Sequence, residues 1–256
     1  MTELLGTTAR GDYAPSIDLT PWFAGTEARR REVAEQVDDA LRTAGFLLIT
    51  GHGVNRALRD RVRAHAREFF ALAEQVKQRY EVRVGGRGWL SPGTEANGYA
   101  EGTATYLTLP TFGFNVNWYP VPRRIGPAEP GQFRIGPHTD FGTVTVLDRE
   151  PGLGGLQVYT AGGEWVDAPF DPDAFTVSLG DLMARWTGDR WRSTRHRVLA
   201  PPPKAPEEEL MSLVYFYEAD HDAVIETLPP PIGRTSYPPV VWGDYLREKL
   251  AAISVG

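Results

Sequence analysis

The stretch RIGPHTDFGTVTVLD, residues 134 to 148, carries an imidazole and a carboxylate two positions apart, His138 and Asp140, in a run otherwise made of strand-forming residues. Side chains alternate faces along a strand, so residues two apart point the same way and can grip one ion from one side, while Thr139 points elsewhere. A third ligand is expected at His196 in WRSTRHRVLAPP, again in a strand-like run. Two imidazoles and one carboxylate on one face of an octahedron leave three positions open, as in non-haem iron(II) oxygenases, which use them for a chelating co-substrate and O2. Zinc with a water in its open position suits the same ligands. A hydrogen-bonded His-Asp pair without metal also suits the spacing.

Composition narrows the choice of ligand and of partner. The 256 residues include no cysteine, so thiolate sites, disulfides and a cysteine nucleophile are excluded, and a metal must be bound through His and carboxylate. With 27 basic and 33 acidic residues the net charge is -6, which gives no attraction to nucleic acid or to an anionic membrane. The opening MTELLGTTARGDYAPSIDL has no basic, apolar leader pattern, and no apolar run approaches the ~18 residues needed to span a bilayer. A soluble, cytoplasmic protein acting on a small molecule is expected; oligomeric state is not encoded legibly.

The elements that would hold these residues are mostly strands. PSIDLTPWF (15–23) reads as a short strand and turn, and TEARRREVAEQVDDALRTAG as an amphipathic helix capped by Thr26 and stopped at Gly45. FLLITGHGV (46–54) reads as a buried strand and turn, residues 55–80 as one further helix, and 85–98 as an irregular loop. Strands are expected at 112–119, 132–137, 142–147, 155–159, 164–166, 174–179, 194–199 and 211–218. Short strands with Gly and Pro turns, without helices between them, argue against a parallel βαβ sheet and for a jelly roll or barrel. The Pro-rich patches at 200–206 and 228–233 are too short to divide the chain, so one domain over 1–256 is expected: an N-terminal segment (1–98), a core (112–218) and a C-terminal segment (219–256).

NVNWYP, GPHTDFGTVTVLDRE, the run from GGLQV through GDL to STRHRV, and SLVYFYEAD, with IDLTPW and AGFLLITGHGV ahead of them, resemble the isopenicillin N synthase-like branch of the 2-oxoglutarate/iron(II)-dependent dioxygenases. The resemblance touches nearly the whole chain. It implies a double-stranded β-helix (jelly roll), mainly β with flanking N-terminal helices, and an oxidoreductase using Fe(II), 2-oxoglutarate and O2. The family's metal ligands fall on His138, Asp140 and His196. The carboxylate at Asp140 disfavours halogenation, because related halogenases lack it. The implied chemistry is decarboxylation of 2-oxoglutarate to succinate and CO2, coupled to hydroxylation, desaturation or cyclisation of a small organic substrate of the secondary-metabolite kind.

Two departures from the family pattern matter. An Arg-x-Ser pair holds the distal carboxylate of 2-oxoglutarate in the family, the planar guanidinium meeting it bidentately. Here EELMSLVYFY keeps Ser212 but places Leu210 at the arginine position. The anchor is then expected at Arg134, on the face of His138, with Arg185 and Arg192 as alternatives; Arg195 and Arg197 flank His196 and should point away. Without such an anchor the chain would be an O2-dependent oxidase of the same fold, or a non-catalytic metal or small-molecule binding module. Tyr119 and Asn117 match the family's Asn-x-Tyr-Pro and are expected at the co-substrate, and Phe141 on the substrate side. The second departure is length: several dozen residues that usually stand ahead of PTFGFNVNWYP are missing. That leaves either an open mouth for a bulky substrate or a stretch absent from this sequence. His52, His65 and His221 have no partner at ligand spacing and are assigned no chemistry.

Overall fold

The computed structural model describes residues 13–83, 86–91, 103–109, 112–121, 131–153, 155–202, 204–205 and 207–253. In chain order the strands are β1 (Ser16–Asp18), β2 (Phe46–Thr50), β3 (Gly88–Trp89), β4 (Thr103–Leu109), β5 (Phe112–Tyr119), β6 (Phe133–His138) and β7 (Val144–Arg149). They continue with β8 (Leu156–Tyr159), β9 (Trp165–Asp167), β10 (Phe175–Leu179), β11 (His196–Leu199), β12 (Leu210–Tyr217), β13 (Val224–Ile225) and β14 (Val240–Val241). The helices are α1 (Thr20–Ala24), α2 (Glu27–Thr43), α3 (Arg56–Phe70), the single turn α4 (Glu74–Lys77), α5 (Asp181–Trp186) and α6 (Trp242–Ile253).

From β5 onward the chain passes back and forth between two sheets. The larger has the order β1-β2-β10-β7-β12-β5-β4-β3, and the smaller β6-β11-β8-β9. Antiparallel strands that alternate between two facing sheets make a jelly roll. The sheets face each other over a core in which Phe46, Leu48 and Leu147 of the larger meet Leu156, Val158 and Val198 of the smaller. No helix among the described residues is long and apolar enough to cross a membrane.

Local sequence explains how the leading elements are fixed. The Thr26 side chain accepts from the Arg29 backbone N–H and starts α2, which buries Val33, Ala40 and Leu41. At Gly45, φ is +66°, and a Cβ there would run into the Arg192 carbonyl, so glycine is required where the chain turns into β2 beside β10. Asn55 caps α3 by accepting from the Ala57 N–H at 2.8 Å. Two arginines, Arg59 and Arg63, are buried on one face of α3, and Arg67 lies at its edge, partly exposed. Arg59 and Arg63 meet Asp148 of β7 at 3.0 and 2.8 Å, and Arg67 meets Glu150 at 2.7 Å. Phe70 closes the same face by stacking on Trp118 of β5.

Several expectations are corrected. The helix expected over 55–80 breaks after Phe70, where Ala73 takes an extended ψ of 146°; the chain resumes as α4 and a 3-10 turn that sets Tyr80 against Phe69. β6 ends at His138, so Asp140 lies in the loop to β7, beyond the strand that was to carry both ligands. The middle is not free of helices: α5 stands between β10 and β11, its Leu182 fully buried against Trp242 of α6. β3 occupies part of the loop expected at 85–98, whose residues 85 and 92–98 lie outside the described residues. β4, which pairs along the whole of β5, was not expected as a strand.

Candidate active site

The two histidines meet because their strands do. β11 pairs with β6 so that His196 stands directly opposite His138, with ring centroids 4.2 Å apart. Asp140 reaches the same place from the loop, its backbone carbonyl tied to the N–H of Asp181 at 2.8 Å. One ligand atom from each of His138, Asp140 and His196 lies within 4.8 Å of the other two, the one such His/Asp/Glu group among the described residues.

Each imidazole is oriented through its far nitrogen. Nδ1 of His138 donates to the Gly136 carbonyl at 2.7 Å, and Nδ1 of His196 to the Thr194 carbonyl at 3.2 Å. With the proton on Nδ1, both Nε2 lone pairs remain for an ion, and Nε2 of His196 lies 3.6 Å from Oδ1 of Asp140. Oδ2 of Asp140 accepts from Ser178 Oγ at 2.9 Å. The charges suit a cation: burial and the neighbouring His196 push the His138 imidazole down to about 4, so it is neutral at pH 7. For Asp140, burial acts to raise the pKa, but His196, His138 and the hydroxyls of Thr145 and Ser178 outweigh it and hold the carboxylate ionised.

β5 and β12 pair side by side and present one face to α3 and the other away from it. Phe114, Val116 and Trp118, with Met211 and Leu213, pack outward under α3. Alternation therefore turns Asn115, Asn117 and Tyr119, with Leu210, Ser212 and Val214, the other way. Ser212 pairs with Asn117 and Leu210 with Tyr119 across the two strands. The amide oxygens of Asn115 and Asn117 are buried without a hydrogen-bond partner among the described residues.

Arg134 of β6 is fully buried, and its guanidinium stands 5.5 Å over the Tyr119 ring. Tyr119 is the cross-strand partner of Leu210, so Arg134 stands near the position where the resemblance led an arginine to be expected. It is not idle: its Nη1 meets a Glu208 carboxylate oxygen at 2.9 Å and its Nη2 the Glu208 carbonyl at 3.0 Å. Arg185 instead donates to the Pro238 carbonyl and Arg192 to that of Thr43. Arg195 and Arg197 stack on Tyr159, Trp165 and Phe133, on the face away from the cluster as expected. Phe141 is half-buried against Leu182 and Trp242, with Lys249 5.7 Å over its ring. Of the other histidines, His52 stacks on Phe175, His65 is exposed beside Glu68 and His221 packs on Gly243.

The fold and cluster define a class of enzyme, and comparison with known proteins agrees. Residues 14–106 match the N-terminal family described as non-haem dioxygenase in morphine synthesis, and residues 112–219 match the 2OG-Fe(II) oxygenase superfamily. The chain is 35% identical to the validamycin A dioxygenase of Streptomyces hygroscopicus subsp. limoneus over 301 aligned positions, covering 89% of this chain and 82% of that one. The chain belongs to the 2OG-Fe(II) oxygenase superfamily: it is an Fe(II)/2-oxoglutarate-dependent dioxygenase, with O2 as the second co-substrate. It is also 24% identical to a homoarginine-6-hydroxylase of Oryza sativa subsp. japonica, over 86% of this chain and 88% of that one. In fold it superposes on Neurospora crassa T7H in complex with alpha-KG with a TM-score of 0.83 at 22% identity, covering 98% and 100% of the two chains. A dioxygenase for auxin oxidation in rice follows at 0.74 and 21%, covering 93% and 95%. The 301 aligned positions exceed the 256 residues of this chain, so the validamycin A dioxygenase carries residues within the matched region that this chain lacks.

Proposed function

We propose that His138, Asp140 and His196 are the iron ligands of this dioxygenase. The observation that carries this is the convergence of three ligand atoms with both imidazole Nδ1 atoms already engaged by carbonyls. Two imidazoles and one carboxylate leave three coordination positions open. When bound, iron(II) with 2-oxoglutarate and O2 supplies the oxidation of an unactivated C–H in a small organic substrate, 2-oxoglutarate leaving as succinate and CO2.

The chain's own residues then have separable tasks. Ser178 and the carbonyls of Gly136 and Thr194 hold the ligands in place. Tyr119, Asn117 and Ser212 line the pocket for the co-substrate, and Arg134 supplies the positive charge that Leu210 cannot. Its burial beside Tyr119 supports that assignment; its pairing with Glu208 means that the distal carboxylate must share or take over that partner. Phe141, next to Asp140, walls the substrate side. The N-terminal segment (1–98), the core (112–218) and the C-terminal segment (219–256) work as one domain, a reading supported by β1 and β2 extending the larger sheet beside β10. The reaction is hydroxylation, desaturation or ring closure. Succinate formed from 2-oxoglutarate in the presence of iron(II), ascorbate and O2 tests the reading, and its absence with iron bound would remove it.

A further inference from the structure

The acids buried around the barrel have partners in the protein. Asp148 holds Arg59 and Arg63, Glu150 holds Arg67, Glu208 holds Arg134, and Asp181 holds Lys249 and Ser193. Glu218 breaks the pattern. Its Oε2 is buried with no hydrogen-bond partner among the described residues, and the carboxyl forms none of the ion pairs found there. Its one acceptor contact is with the Thr143 backbone N–H. A carboxyl that the fold buries and leaves half-satisfied is a cost to stability, which points to use in binding.

Its position supports that use. Glu218 follows the last residue of β12, and the alternation that turns Leu210, Ser212 and Val214 inward turns Glu218 inward as well. β12 pairs with β7 up to Tyr217 opposite Val144, which brings Glu218 onto the loop that carries Asp140. The contact is close: a Cβ at Gly142 would collide with the Glu218 carboxyl, so glycine there is the clearance this side chain needs. Arg134, Tyr119 and Leu210 mark one end of the inward-facing row, and the metal cluster and Glu218 mark the other.

We propose that Glu218 is a specificity-determining residue, accepting a hydrogen bond from the substrate and thereby selecting small molecules with a hydroxyl or protonated amine close to the carbon that reacts. Burial and then the charge of Asp140 push the Glu218 carboxyl up to about 8. A ligand O–H or N–H on Oε2 favours the ionised form and satisfies the orphan oxygen. The proposal rests on the iron and 2-oxoglutarate reading above for the identity of the site.

The test uses the full chain, loaded anaerobically with iron(II) and 2-oxoglutarate, and two donor-rich probes, validamycin A and L-homoarginine. Binding is read from the change each probe causes in the visible band of the iron–oxoglutarate chelate. Wild type should bind at least one probe, and Glu218→Leu should bind it at least ~10-fold more weakly, the size of one good hydrogen bond to a charged group. Glu218→Gln separates the two donors, because its amide oxygen still accepts from a hydroxyl but offers no charge to an ammonium. It should also melt no lower than wild type, since it keeps the contact with Thr143. Failure of wild type to bind either probe, equal affinity in the variants, or a Glu218→Gln protein melting several degrees lower would each overturn the proposal. Absence of the chelate band in wild type would count against the co-substrate reading instead, and probe binding to the iron-loaded protein would then be read by thermal shift.

Discussion

Replacing Glu208 by Gln removes a negative charge paired with Arg134 while keeping an amide oxygen as acceptor. The pair is almost fully enclosed, with side chains 1% and 10% exposed and a 2.9 Å contact. Stranding one partner of a buried ion pair costs about 3–5 kcal/mol, and the retained acceptor places this case near 3. At about 2–4 °C per kcal/mol for a chain of this size, the ligand-free variant should melt roughly 6–12 °C below wild type. If Arg134 anchors 2-oxoglutarate, the distal carboxylate replaces the missing charge. Recovering half of the loss would tighten 2-oxoglutarate binding by about tenfold. The assay is a thermal-shift and anaerobic binding titration of iron-loaded wild type and variant. 2-Oxobutyrate, which chelates alike but lacks the distal carboxylate, is the control. The expected result is a larger stabilisation of Glu208→Gln than of wild type by 2-oxoglutarate and no such excess with 2-oxobutyrate. Equal stabilisation of both proteins by 2-oxoglutarate would refute Arg134 as the anchor.

Other outcomes are expected from the same structure. Asp148→Ala leaves Arg59 and Arg63 buried without their shared carboxylate and should lower the unfolding free energy by about 3–5 kcal/mol, read from the denaturant midpoint. Ser178→Ala releases Oδ2 of Asp140 and should weaken iron binding by about 10–100-fold without changing the fold, as circular dichroism would check. For His138 the unfolded imidazole takes a proton near 6.5, but the folded one only near about 4. Between those values the unfolded chain binds more protons, so the iron-free protein should lose stability as pH falls through that window, by up to ~3 kcal/mol. Stability that stays flat from pH 6.5 to 4 in urea titrations would contradict the buried, neutral state.

The proposed metal ligands were legible as candidates because a His and an Asp are conspicuous in a strand-rich run, and the structure brings them together because β11 and β6 put His196 and His138 opposite each other in one ladder. The reason first given for their convergence holds only in part, since Asp140 reaches the site from a loop. The jelly roll was legible from short strands and turn residues. What sequence spacing missed depends on long-range contacts. The Arg134–Glu208 pair joins residues 74 apart, and Ser178 reaches Asp140 from another strand. α3 reads as an ordinary charged helix until Asp148 and Glu150 turn its arginines into a buried face. α5 is six residues long, too short for periodicity to show, and Glu218 stands out only once its buried Oε2, without a hydrogen-bond partner among the described residues, can be seen.

In the function proposed, one iron is held by His138, Asp140 and His196 and carries 2-oxoglutarate. An anaerobic titration of iron(II) into the metal-free chain with 2-oxoglutarate present, comparing wild type with Asp140→Ala, tests it most directly. Wild type should develop a visible chelate band saturating at one iron per chain, and the variant should show no band. A variant that binds iron and develops the band with wild-type affinity would contradict it.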